Sequence, residues 1–149
     1  ISKSYGVPGL RLGVLASGDT ESIARLKKEV AIWNINSFGE FYMQIYEKYH
    51  KDYLRACELF REERKLFSEE LKQVPYLRVI PSQANYFLCE LTTDKFTSKE
   101  LAVRLLADHD ILIKDCSGKS AFSRGSYIRL AVRDRVDNHK LTEALKEYI

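Results

Sequence analysis

The sequence predicts an α+β protein in which a sheet carries helices on one face. Residues 76–149 read as strand, strand, helix, strand, strand, helix, because short apolar runs alternate with amphipathic stretches of helical period. A long helical pattern comes before them. The chain has 149 residues, 45% of them hydrophobic, which is enough to bury one sizeable core.

The N-terminal part of the chain predicts one strand and one helix. Residues 10–18 form an apolar run that a glycine turn closes, which is typical of a short strand. Asp19 follows at the position of a helix N-cap, and we expect its helix to end near Ile32. One strand has no sheet of its own, so residues 1–35 are not expected to fold alone.

A long helical run begins near Ser37. Ser37 and Glu40 match a capping box, and Pro75 ends the run. The run is too long for one ordinary helix, so we predict two helices with a break at residues 50–52. One face is apolar and is interpreted as packing surface; it carries Tyr46, Tyr49, Tyr53, Cys57, Phe60, Phe67, Leu71 and Val74.

The C-terminal half predicts four strands and two helices. The strands lie in "LRVIP", "NYFLCEL", "ILIKDC" and "SYIRLAV". Thr97 and Glu100 form a capping box for the first helix, and Asp134 is placed to cap the last. The apolar positions that we expect on the inner faces of these helices are Leu101, Leu105 and Leu106, then Leu141, Ala144, Leu145 and Tyr148.

Composition excludes several classes of function. The net charge is +3 with basic and acidic residues interleaved, so a nucleic-acid partner is not expected. No apolar run is long enough for a membrane span and no signal peptide is seen. Cys57, Cys89 and Cys116 are widely spaced without a CxxC pair, which favours neither a metal site nor disulfides and fits a cytoplasmic protein. The first residue is Ile, so we expect the chain to be cut from a longer one.

The opening segment "ISKSYGVPGLRLG" leaves more than one interpretation open. Its glycines lack the spacing of a dinucleotide fingerprint, and no G-K-[ST] follows them. One alternative is a reactive Lys3 in a tight turn with Arg11 nearby to hold an anion. From the residues alone, a plain glycine loop with a solvated lysine is favoured.

A resemblance to a known family favours the interpretation of Lys3 as a reactive lysine. "SKSYGVPGLRLG" resembles the cofactor-lysine segment of fold-type I pyridoxal-phosphate enzymes, S-K-x-[FY]-G-x-x-G-x-R-x-G. "PSQANYFLCEL", "ILIKDCS" and "YIRLAVRDRVDN" resemble the small domain of the branch that contains histidinol-phosphate aminotransferase and threonine-phosphate decarboxylase. "WNINSF" resembles the interdomain segment of that branch. The chain is also similar to the aminotransferase-like half of bacterial proteins that fuse it to a nucleotidyltransferase.

The resemblance implies a role for five residues. Lys3 would be the Schiff-base lysine of pyridoxal 5'-phosphate and then a general acid and base. Arg11 and Ser2 would bind the cofactor phosphate. Arg129 would bind the substrate α-carboxylate, although from the residues alone a place on the solvent face of a strand is favoured. Lys114 occupies a position where the branch often has an arginine near a distal phosphate.

The resemblance also implies an organisation and a function. Residues 1–36 would be a remnant of the large cofactor-binding domain of an α/β parent, 37–75 interdomain helices and 76–149 the C-terminal small domain. The parent would be a homodimeric aminotransferase for an amino acid or amino-acid phosphate. Its pyridine-nitrogen acid and ring-stacking aromatic lie upstream of Lys3, so the chain alone is expected to be inactive. Two alternatives remain: an amino-acid-phosphate decarboxylase, and a non-catalytic binding or dimerisation module.

Overall fold

The computed structural model describes residues 1–119 and 125–149. They form two compact units, Ile1–Cys57 and Glu58–Ile149. A 3₁₀ turn at Pro8–Leu10 is followed by the helices α1 (Thr20–Glu29), α2 (Ser37–Leu71), α3 (Ser98–His109) and α4 (Arg135–Lys146). The strands are β1 (Leu77–Val79), β2 (Tyr86–Leu91), β3 (Lys114–Asp115) and β4 (Ser126–Ala131). Within the described ranges, no helix is both long and apolar enough to cross a membrane.

The second unit is built on one antiparallel sheet with the strand order β1-β2-β4-β3. Alternate residues of the two central strands are buried, which places Phe87 and Cys89 of β2 on the same face as Ile128 and Leu130 of β4. The opposite face carries Arg129 together with other polar and apolar side chains that are exposed or half-buried. This arrangement confirms the predicted α+β class.

Helices cover the buried face of the sheet. Phe67 and Leu71 at the end of α2, Leu101 and Leu105 of α3, and Leu145 of α4 are completely buried in one core with the strands. A core residue of this kind stabilises the fold by roughly 1.5–3 kcal/mol relative to an exposed one. The core therefore fixes the sheet, and with it the residues on the uncovered face.

The predicted helix caps are confirmed at three helices. The Asp19 carboxylate accepts a hydrogen bond from the backbone N–H of Ser22 at 3.0 Å. Thr97 and Glu100 form a complete capping box at α3. Asp134 accepts from the N–H of Asp137 at 2.9 Å at the start of α4. These caps satisfy N–H groups that have no partner inside their helix.

Two predictions about α2 are wrong. The Ser37–Glu40 capping box does not form, because Asn36 is the cap: its Oδ1 accepts from the N–H of Gly39 at 2.9 Å. The break at residues 50–52 is also absent, and α2 is continuous from Ser37 to Leu71. Residues 40–71 hold no proline and no glycine, so nothing in their backbone interrupts the helix.

Further corrections concern the first unit and the edges of the second. Within the described residues 1–119, no strand forms at 10–18; Pro8–Leu10 is a 3₁₀ turn, and the residues after it have no partner strand to take up their backbone hydrogen bonds. The first helix ends at Glu29, before Ile32. Leu106 is 48% exposed, because the inner face of α3 is set by Leu101 and Leu105 and the next residue is rotated away from it.

Candidate functional site

Lys3 lies in a short turn that an aromatic side chain anchors. The N–H of Tyr5 donates to the carbonyl of Ile1 at 3.0 Å, which closes the turn around Lys3. The Tyr5 ring stacks on Tyr53 of α2 with centroids 4.8 Å apart and meets Tyr46 edge-on at 5.4 Å. Each aromatic pair of this kind contributes about 0.5–1.5 kcal/mol beyond burial. Tyr5 therefore holds the lysine turn against α2.

Hydrogen bonding adds to this anchor. The Tyr53 hydroxyl donates to the carbonyl of Ser4 at 3.0 Å, so one side chain of α2 contacts both the ring and the backbone of the turn. Desolvation and the contact with Tyr5 raise the pKa of Tyr46 to about 12. The Tyr46 hydroxyl therefore remains neutral at physiological pH.

The chain after the turn follows an unusual backbone path. Gly6 has a φ of +68°, a conformation that favours glycine, and Arg11 has a φ of 53°, which is uncommon for an arginine. The Arg11 guanidinium donates to the carbonyl of Pro8 at 3.4 Å. Asn36, the cap of α2, also donates from Nδ2 to the carbonyl of Leu10 at 2.9 Å. One asparagine thus joins the arginine loop to the start of the long helix.

The side chains of this loop fit pyridoxal phosphate. Lys3 is exposed, and within the described residues its amine forms no hydrogen bond and no ion pair. Arg11 is exposed and uses one of its five N–H donors on a carbonyl, which leaves the others for a phosphate. Ser2 is half-buried. An amine, a guanidinium and a hydroxyl suit an aldehyde that carries a phosphate ester.

Two cations face each other on the uncovered face of the sheet in the second unit. Lys114 of β3 is the direct cross-strand partner of Arg129 of β4, and both are exposed. Neither forms an ion pair with a carboxylate in the described part of the chain. Like charges in this position repel and cost stability, and a bound anion would relieve that repulsion. The pair is therefore a candidate anion site.

Asp115 fixes the strand that carries Lys114. Its Oδ1 accepts from the Ser98 hydroxyl at 2.8 Å and from the N–H of Ser117 at 3.0 Å, and its Oδ2 accepts from the Ser117 hydroxyl at 2.6 Å. Desolvation raises the pKa of Asp115, but the bonds from Ser117 and Ser98 outweigh it, so the pKa lies below its ordinary value. A charged Asp115 holds β3 to the start of α3.

A cleft of about 810 Å³ lies beside β3 and β4, and both Lys114 and Arg129 line it. Arg133 also lines the cleft, but Asp137 neutralises it through an ion pair at 2.5 Å. The cleft thus brings together the two residues that sequence analysis assigned to the substrate. Lys3, Arg11 and Ser2 lie in the first unit, on the loop described above.

Sequence analysis missed three contributors to these sites. Tyr5 was considered only as part of the motif, and no structural role was predicted for it. The signal lay in α2, where Tyr46 and Tyr53 are two turns apart on one face and leave room for a ring between them. Asn36 could have been found, because asparagine before a helical run is a favoured cap. Tyr86 contacts Arg129 across two strands, and no short sequence pattern indicates such a pair.

Comparison with known proteins agrees with this architecture. The family model for aminotransferase class I and II matches residues 1–147. The chain is 36% identical over 149 residues to the CMP-5'-(3-aminopropyl)phosphonate synthase of Streptomyces rubellomurinus, which covers 100% of this chain and 24% of that protein. It is 30% identical over 149 residues to the threonine-phosphate decarboxylase of Salmonella typhimurium, with 100% and 40% covered.

A solved structure also has the same fold over nearly the whole of this chain. The histidinol-phosphate aminotransferase from Clostridium acetobutylicum superposes with a TM-score of 0.84 at 30% identity, over 97% of this chain and 42% of that one. The chain spans less than half the length of each of these relatives.

Proposed function

This chain belongs to the aminotransferase class I and II family, whose members depend on pyridoxal phosphate, and from that premise we propose that it is the C-terminal part of an aminotransferase for an amino acid or amino-acid phosphate. The observation that carries the proposal is the anchored turn of Lys3. Tyr5 and Tyr53 hold the backbone there while the amine stays exposed and unpaired within the described residues.

The first unit supplies the residues for the cofactor. Pyridoxal phosphate, when bound, draws electron density away from the substrate α-carbon. Lys3 would hold the cofactor aldehyde through its Nζ amine, and the same amine would move a proton at the substrate α-carbon. Arg11 would hold the cofactor phosphate through its N–H groups, and the Ser2 hydroxyl would add one donor.

The second unit supplies the residues for the substrate. Arg129 binds the α-carboxylate, because its planar guanidinium matches the two carboxylate oxygens. Lys114 offers a point charge to a distal anionic group such as a phosphate. Support comes from their direct opposition on β3 and β4 without an acidic ion-pair partner in the described residues. The domain boundaries at residues 36/37 and 75/76 are part of the same proposal.

Decarboxylation is the second candidate reaction. Its support lies in the relatives, since the protein from Salmonella typhimurium is a threonine-phosphate decarboxylase and one from Sulfurospirillum multivorans, 30% identical over 151 residues, is an L-serine phosphate decarboxylase. The two reactions differ in which bond of the substrate α-carbon is broken, the bond to hydrogen or the bond to the carboxylate. A non-catalytic module is the alternative from another class, and the separate core of the second unit supports it.

Three further features belong to the proposal. A fused nucleotidyltransferase is supported by the CMP-linked product in the name of the Streptomyces relative, of which the chain covers 24%. A homodimer is supported by family membership. A cytoplasmic location is supported by the free thiols of Cys57, Cys89 and Cys116.

The test is a visible absorption band of lysine-bound cofactor in the full-length protein after addition of pyridoxal phosphate. Lys3→Ala should abolish the band, whereas Lys27→Ala, a matched change on the exposed side of α1, should keep it. Borohydride reduction followed by peptide mass spectrometry should place the cofactor on Lys3. A band that survives Lys3→Ala contradicts the assignment, and no band in the unmutated protein favours the non-catalytic module. Release of carbon dioxide without a keto acid would replace the aminotransferase by the decarboxylase.

A further inference from the structure

An aromatic ring supports the guanidinium of Arg129. The Cζ atom of Arg129 lies 5.1 Å from the ring centroid of Tyr86. Tyr86 opens β2 and pairs with Ala131, so it lies diagonally across from Arg129, whose direct partner on β2 is Leu88. Long side chains reach such diagonal neighbours. In the described residues, the guanidinium donates no hydrogen bond to a carboxylate or carbonyl that could orient it instead.

Resting on the proposed function, we infer that Tyr86 is a positioning residue for the carboxylate-binding arginine. A guanidinium whose flat face lies against an aromatic ring keeps its N–H edge available for a carboxylate, so the two contacts are compatible. Lys114 flanks Arg129 on the other side, from β3, and repels it toward the Tyr86 ring. The Tyr86 ring thus orients the guanidinium of Arg129, and repulsion from Lys114 disfavours other orientations.

Tyr86 is itself held in place by the loop before it. The Ser82 hydroxyl donates to the carbonyl of Tyr86 at 2.7 Å. Arg64 of α2 donates from Nη1 to the carbonyl of Gln83 at 2.5 Å and to that of Ala84 at 3.4 Å. A helix that packs into the core therefore fixes the start of β2. A support of this kind is needed where a binding group must be held to within a fraction of an ångström.

The experiment separates positioning from a merely structural contact. The full-length protein loaded with pyridoxal phosphate is titrated with O-phospho-L-serine and with O-phosphoethanolamine, which differ in the α-carboxylate alone, and binding is read from the cofactor absorbance. Tyr86→Leu should weaken binding of O-phosphoserine about two- to fivefold, the range expected for a partly exposed cation–ring contact. Binding of O-phosphoethanolamine should not change, and Tyr86→Phe, which keeps the ring, should behave like the unmutated protein.

A matched control and a second readout complete the test. Tyr49→Leu removes a ring that has Lys48 Nζ 5.4 Å from its centroid, and it should leave both titrations unchanged. In NMR spectra of arginine-labelled protein, the δ protons of Arg129 should show a ring-current shift that Tyr86→Leu removes and Tyr86→Phe retains.

The outcomes separate the two proposals. Failure of the unmutated protein to bind either probe contradicts the proposed function and the inference that rests on it. If the unmutated protein binds O-phosphoserine, the inference alone is overturned by unchanged binding in Tyr86→Leu, by an equal loss for both probes, or by Arg129 shifts that do not depend on the ring.

Discussion

Lys114 and Arg129 are direct cross-strand partners on β3 and β4, and neither has an acidic ion-pair partner in the described part of the chain. Removing the lysine relieves this repulsion and also removes an attraction to the Asp115 carboxylate, so the expected gain in stability is modest. We expect Lys114→Gln to raise the free energy of unfolding by about 0.2–1 kcal/mol at low salt. The gain should shrink at high salt, because ions screen exposed charges. Urea unfolding measures the change, with Lys99→Gln on the exposed side of α3 as the control; equal effects of the two changes would contradict the repulsion.

Loss of the arginine should affect substrate and spare the cofactor. Arg129→Ala removes charged hydrogen bonds worth about 1.5–3 kcal/mol, so kcat/KM should fall roughly 10- to 150-fold. The visible band of the cofactor should be unchanged. Steady-state kinetics of the full-length protein with O-phospho-L-serine provide the measurement. Arg104→Ala, on α3, should leave kcat/KM intact, and an equally intact value for Arg129→Ala would remove Arg129 from the substrate site.

The contacts of the Tyr5 ring with Tyr53 and Tyr46 predict that a change at Tyr5 lowers the affinity for the cofactor. Tyr5→Leu removes the contacts with Tyr53 and Tyr46, so Lys3 loses its fixed position. We expect roughly two- to tenfold weaker binding of pyridoxal phosphate, in line with about 0.5–1.5 kcal/mol for an aromatic pair. Tyr5→Phe keeps the ring and should retain most of the affinity. The measurement is a titration of the absorption band, and identical affinities for the two variants would argue against the anchor.

The low pKa of Asp115 predicts a pH-dependent contribution to stability. A carboxylate whose folded pKa lies below its unfolded value stabilises the fold above the unfolded pKa, and this contribution is lost as pH falls through the folded pKa. Asp115→Asn should therefore lower the free energy of unfolding most at neutral pH, and the difference from the unmutated protein should narrow in acid. Unfolding curves at several pH values test this, with Asp94→Asn as an exposed control. A difference in the free energy of unfolding that stays constant with pH would show that ionisation of Asp115 does not contribute to stability.

Short sequence patterns predicted the helix caps and the sheet of the second unit well. The caps at Thr97 and Asp134 depend on residues three positions apart, and their hydrogen bonds form as expected. The sheet follows from the period-two burial of β2 and β4. The family resemblance also located the residues that the structure brings together at the cleft, since Lys114 and Arg129 both line it.

Predictions that depend on distant partners were less accurate. The apolar run at residues 10–18 has strand composition, but a strand needs a neighbour to complete its hydrogen bonds, and within the described residues the first unit offers none. The predicted break in α2 came from typical helix lengths, whereas the sequence there contains no residue that stops a helix. The contact of Tyr86 with Arg129 depends on the register of β2 against β4, which is set by the fold as a whole.

The shortness of β3 has a consequence for association between chains. Lys114–Asp115 is an edge strand of two residues, so it exposes few free peptide groups to which a neighbouring chain could add a strand. The lysine on that edge is a common natural deterrent to such pairing, because a second sheet would have to bury its charge. The side chain that we assign to an anionic substrate thus also protects the sheet from aggregation through its edge. Replacing Lys114 to relieve its repulsion with Arg129 would gain stability and weaken that protection.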